Sequence, residues 1–304
     1  MKNKQLSHFD KSFEESYFYK DYLIVLNEYK SLGIDISPKV WFSTEWFCPD
    51  GVEGVGVPFY LNSLNLMRYF ESIGVSVEGK TSRERKKLFR HELAHVVDNV
   101  YGLRRLKKRQ EIFGLSSQKY PEYFYPKKRL VKERLSFSHI DSFYWQSHPC
   151  EDFAETLSFV VENWSKIDHY KEDLKVKYIK GLIDSGDVFS KKNKYALKKT
   201  EIESISDDDR TVEEYIEEYF SQVNVANRRK IFSASGEHSL EDINLEEKTW
   251  AKQGPWILDN FRQIITYQKN YLGRKTIVSK KTKRMIESGD RSFFKSFDLN
   301  KVYM

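Results

Sequence analysis

The stretch TSRERKKLFRHELAHVVDNVYG, residues 81–102, decides how the rest of this chain is read. Thr81 followed by Glu84 is a capping box, and Gly102 is a natural stop, so the segment predicts a helix from Thr81 to about Tyr101. Phe89, Leu93, Val96 and Val100 recur at helical spacing and form an apolar stripe suited to the core. His91 and His95 lie off that stripe, on a polar face shared with Asp98 and Asn99. Imidazoles at i and i+4 stack about one turn apart on a helix and can share a metal ion. Neutral imidazole suits Zn²⁺, so one zinc per chain is expected. Glu92 projects to one side of the pair and can act as general base toward a water activated by the metal. The alternative is a solvated or hydrogen-bonded polar face without metal, and periodicity does not choose between the two.

A second cluster follows at Tyr144-Trp-Gln-Ser-His148-Pro-Cys-Glu151-Asp-Phe-Ala-Glu155. Pro149 fits the first turn of a helix reaching about Trp164. Glu151 and Glu155 then share one face of that helix. Glu151 lies in the first turn, where the positive helix end favours a carboxylate. Glu155, one turn deeper, can accept the outer N–H of a ligand histidine and fix its tautomer, a role for which Asp98 competes. An ordinary acidic helix start with solvated carboxylates would look the same. His148 reads as a helix cap, a substrate contact or a support to a metal ligand, and Cys150 as core.

Working outward, Ser12 to Glu15 is a further capping box, predicting a helix from about residue 13 to Leu32, stopped by Gly33. Lys39 to Phe47 and Gly54 to Leu61 read as strands, the second at a sheet edge because Pro58 has no N–H to donate. Ser63 to Ile73 reads as a short helix. Beyond residue 186 helices are expected at Thr211 to Phe220, Leu240 to Glu247 and Trp250 to Tyr271.

The blocks HELAHVVDNVYG and HPCEDFAET together resemble a bacterial zinc-binding metallopeptidase family that pairs HExxH with a downstream HPxEDFAE. The resemblance extends to VWFSTEWFCPDGVEGVGVPFYL and FGLSSQKYPEYFYP, so it runs from about Lys39 to Trp164. A remoter similarity is to the catalytic domain of anthrax lethal factor, a gluzincin. The resemblance implies His91, His95 and Glu151 as metal ligands, Glu92 as base and Tyr144 as oxyanion donor. It also implies a zincin-like α+β fold: a small sheet over about residues 39–62, the HExxH helix, and a backing helix from about 149. In zincins an edge strand holds an extended substrate, which nominates Val55, Gly56 and Val57 for a peptide or protein substrate. Ala94 stands where many relatives have glycine, a mild steric departure.

The expected organisation is an N-terminal helical segment over 1–37, the catalytic domain over 38–186, and a mostly helical region with a basic tail over 187–304. Aromatic residues at 15% of 304 argue for packed globular structure. Two cysteines, Cys48 and Cys150, build no disulfide framework and point to a reducing compartment. No apolar run approaches membrane length and no leader pattern is visible, so a cytoplasmic protein without a membrane partner is expected. Residues 271–304 hold nine Lys/Arg against three acids, which accounts for the whole net charge of +6. A solvated terminus is the plain reading. Contact with nucleic acid, through this tail or Arg-Arg-Leu-Lys-Lys-Arg at 104–109, is the less favoured one. A zinc-stabilised binding protein without catalysis is the other alternative, and the oligomeric state stays open.

Overall fold

Apolar periodicity and glycine punctuation set the elements of this chain, seen here in a computed structural model that describes residues 2–73, 75, 77–120, 145–192 and 202–219. The architecture is mixed α+β, mostly helical, with one small parallel sheet of two strands among the described residues. No helix among these residues is long and apolar enough to cross a membrane. Contacts divide the chain into two compact units. The larger comprises Gln5–Ser63 and Glu78–Asp209; the smaller comprises Met1–Lys4, Leu64–Val77 and Arg210–Met304. The boundaries expected near residues 37 and 186 both fall inside the larger unit.

In the larger unit the first helix begins later than its capping box suggests. Phe13–Glu15 form one 3-10 turn, and helix α1 runs Tyr19–Ser31. The Ser12 hydroxyl donates to Glu14 Oε2 at 2.5 Å, so it does not cap the backbone. Phe13 instead turns inward, its ring edge-on to those of Phe18, Tyr22 and Phe89. Burial of this aromatic cluster outweighs the local helix signal.

Strand β1, Lys39–Ser43, pairs in parallel with β2, Gly54–Pro58, in the register Lys39↔Gly54 to Ser43↔Pro58. The opposite side of β2 is partly taken: Phe47 forms an antiparallel bridge to Gly56. The two glycines of β2 admit aromatic rings. A Cβ at Gly54 would stand 2.5 Å from the Trp41 ring, and one at Gly56 would stand 2.2 Å from the Phe47 ring. After Pro58 the chain turns into a 3-10 segment, Phe59–Asn62, so the second strand is shorter than the sequence suggested.

Helix α3, Ser82–Tyr101, starts on the complete Thr81/Glu84 capping box and ends at Gly102, whose φ is 63°. (Helix α2, Leu64–Ile73, belongs to the smaller unit.) A short helix α4 follows at Lys107–Phe113. Helix α5, Pro149–Glu162, is buried on every side from Cys150 to Val161, as befits a central helix. Helix α6, Leu174–Ser185, is capped by Asp173 and packs behind α5. The α3–α5 packing is reinforced by α1: Tyr29 donates to the Arg90 carbonyl at 2.6 Å, and Arg90 pairs with both Glu28 and Glu162.

In the smaller unit, α2 spans Leu64–Ile73 and buries Leu66, Met67, Phe70 and Ile73. Phe70 stacks on Tyr215, with ring centroids 5.9 Å apart. Residues 212–219 are helical, opened by reciprocal Thr211–Glu214 bonds. The helices expected at Leu240 to Glu247 and Trp250 to Tyr271, and the basic tail, lie outside the described residues.

Candidate metal centre

Two helices build the site. Helix α3 supplies His91 and His95 from one face and Glu92 to one side of them, because its apolar stripe must turn toward the core and its polar face toward α5. Helix α5 supplies Glu151 from its first turn and Glu155 one turn deeper. Across this junction His91 Nε2 lies 3.1 Å from Glu151 Oε2, His95 Nε2 lies 3.3 Å from the same oxygen, and the two Nε2 atoms are 3.2 Å apart. On its other side the His91 ring places Nδ1 at 3.0 Å from Glu155 Oε1. A carboxylate only accepts, so a proton on Nδ1 is donated to Glu155 and a proton on Nε2 to Glu151.

Electrostatics follow from that crowding. Burial opposes charge on the His91 ring, but the hydrogen bonds to Glu151 and Glu155 and the nearby Glu92 hold its pKa well above the usual histidine value. For Glu151, burial is likewise outweighed by the charges and hydrogen bonds of His95 and His91, which hold the carboxyl far below its usual range. Burial pushes Glu92 upward, against the pull of the two histidines.

The cluster of His91, His95 and Glu151 is buried and can hold a metal ion. Its donor set fits the purpose: three lone-pair atoms meet at one point, and only protons or a cation can hold them together. The spacing fits as well. Separations of 3.1–3.3 Å let the three atoms contact one small cation together.

Comparison with protein-family models, curated proteins and solved structures gives no match.

The other nominated residues fall in different places. Asp98 is wholly buried and turns toward arginines, its Oδ2 lying 3.3 Å from both Arg104 and Arg109. Glu155 is the acid that reaches a histidine of the pair. Val55, Gly56 and Val57 are buried within β2. The N–H and C=O of Gly56 both bond to Phe47, at 2.9 and 3.3 Å, so at that residue the edge is occupied by the chain itself. His148 is the cap of α5: its Nδ1 accepts from Cys150 N–H at 3.1 Å and its Nε2 donates to the Gln118 carbonyl at 2.9 Å. Both ring nitrogens are thereby committed. Cys150 is buried, in line with its reading as a core residue. Tyr144 lies outside the described residues.

Sequence reasoning missed Tyr120, whose hydroxyl donates to Glu151 Oε1 at 2.8 Å while its ring stacks on His148. The signal was faint: one tyrosine of nineteen, inside FGLSSQKYPEYFYP. It also missed the inward roles of Arg104 and Arg109, which looked like part of a basic run. Asn99, on the polar face of α3, donates to the carbonyls of Pro49 and Val52 and so ties the turn after β1 to the site helix.

Proposed function

We propose that the protein is a zinc-dependent metallohydrolase of zincin-like fold, a gluzincin-type peptidase acting on a peptide or protein substrate. The observation that carries the proposal is the meeting of His91, His95 and Glu151 at 3.1–3.3 Å, with Glu92 on the helix of the two histidines. His91, His95 and Glu151 would hold one zinc per chain. When bound, zinc supplies Lewis acidity, polarising a carbonyl and making water acidic enough to lose a proton near neutral pH. Glu92 accepts that proton and returns it to the leaving nitrogen. Its buried position, which raises its pKa, favours such a shuttle over permanent ionisation. Glu155 keeps the His91 ring in one tautomer, with Nε2 toward the ligand cluster. Tyr144, by the resemblance, donates to the developing oxyanion.

Three protein ligands support catalysis over a structural role, since structural zinc is normally closed by four. The test is metal content together with hydrolysis. Purified protein should carry about one zinc per chain, the His91→Ala/His95→Ala double variant should carry none, and a chelator should abolish peptide cleavage. Full zinc occupancy in the double variant would refute the site. Stoichiometric zinc with no cleavage across a proteome-derived peptide library would leave the non-catalytic alternative standing.

A further inference from the structure

Glu151 presents Oε2 to both histidines, and the question is what keeps its other oxygen from doing the same. Tyr120 answers it: the phenol donates to Oε1 at 2.8 Å, opposite the histidine side of the carboxylate. The phenol is itself held in place. Its ring lies flat on His148, with centroids 3.8 Å apart and planes 14° off parallel. His148 cannot turn, because Nδ1 accepts from the Cys150 N–H and Nε2 donates to the Gln118 carbonyl. One ring therefore caps the helix that delivers Glu151, anchors the chain two residues before Tyr120, and provides the platform for the Tyr120 ring. Close approach of the two segments is helped by Gly114, where φ is +101° and an added Cβ would meet the Pro149 ring at 3.1 Å.

The geometry points to Tyr120 as a positioning residue that holds Glu151 to a single ligand oxygen, with His148 as its clamp. This rests on the zinc reading above. A phenol has one proton, and here it is spent on Glu151, so Tyr120 does not serve as the oxyanion donor in this arrangement. With Oε1 hydrogen-bonded to Tyr120, the carboxylate would offer a bound metal Oε2 alone. Without that bond, Glu151 is free to rotate or to bring both oxygens to the metal.

The experiment uses the full chain and Tyr120→Phe, which removes a hydroxyl from a residue that is 52% exposed and so threatens the fold little. Zinc affinity is measured by competition with a chromogenic chelator, and the visible spectrum is recorded with cobalt in place of zinc. Tyr120→Phe should lose affinity by roughly 10–100-fold and shift the cobalt bands, while thermal unfolding of the metal-free protein stays unchanged. His148→Asn keeps a cap for α5 but removes the platform, and should move both readouts in the same direction by less. Wild-type affinity and an unaltered cobalt spectrum in both variants would overturn the assignment while leaving the zinc site intact. A wild-type protein that binds neither metal would overturn the zinc reading and Tyr120's role with it.

Discussion

His91 and Glu155, 64 residues apart in the chain, meet at 3.0 Å through Nδ1 and Oε1, which turns Nε2 of the same ring toward His95 and Glu151. The contact joins α3 to α5. Replacing Glu155 by Gln keeps the shape but removes the charge that favours the Nδ1–H tautomer. Zinc affinity should fall roughly 10–100-fold, while Glu151→Gln, which removes a ligand oxygen's charge, should cost more. Equilibrium competition with a chelator ranks the two. The opposite order would exchange the roles of the two acids.

Glu92 gives a sharper separation of base from ligand. Glu92→Gln should retain zinc at wild-type stoichiometry, because the converging atoms belong to His91, His95 and Glu151. Peptide hydrolysis should drop by at least about 10²-fold through loss of the general base. Zinc analysis and turnover on one preparation decide it; loss of metal from a folded Glu92→Gln protein would make Glu92 a ligand.

The local signals that the sequence carried were those that depend on few residues. The Thr81/Glu84 box is present in full, and the four-residue spacings of His91/His95 and Glu151/Glu155 do put each pair on one face. Ser12 and Glu15 obey the same box rule yet open only a 3-10 turn, because Phe13 is drawn into an aromatic cluster whose members come from α1, α3 and the sheet. Long-range contacts decided that case, and they are invisible in a twelve-residue window. The same holds for Phe47, which folds back onto Gly56, and for Tyr120, whose value comes from the fold-back of residues 114–120 onto the start of α5. Arg104 and Arg109 show the limit of counting charge: a basic run along the chain says nothing about which side chains point inward.

Two glycines should respond to alanine with opposite signs. At Gly56 the new methyl would overlap the Phe47 ring, so the ring must move and the bridge to Phe47 must loosen. A loss of about 1–3 kcal/mol is expected, the usual range for overpacking. Gly181 lies inside α6 with open space around its Cβ position, so Gly181→Ala should stabilise by about 0.5–1 kcal/mol through helix propensity and a less flexible unfolded chain. Urea unfolding of both variants tests the pair, and equal effects would mean that the Phe47–Gly56 contact is not tight.

The buried pair Asp98–Arg109 should behave as a support beneath the site. Arg109 is 0% exposed, lies 3.3 Å from Asp98, hydrogen-bonds Ser116 and sits over the rings of Phe113 and Phe153. It thus connects α3, which carries the histidines, with α4 and with α5, which carries Glu151. Removing one member of such a pair strands the other charge away from water. Arg109→Met should therefore cost about 3–5 kcal/mol, toward the lower end because Arg104 also approaches Asp98. Removing both charges with similar volume restores much of the loss, since a well-packed apolar replacement avoids the desolvation cost altogether. Asp98→Leu/Arg109→Met should consequently be more stable than Arg109→Met alone. Urea unfolding of the metal-free proteins measures this coupling without interference from zinc binding. Zinc affinity of the double variant then asks a second question: near-wild-type binding means that the pair only stabilises the fold, and loss of binding at restored stability means that it sets the distance between the two helices. If Arg109→Met costs less than about 1 kcal/mol, the pair is not the support inferred from its burial.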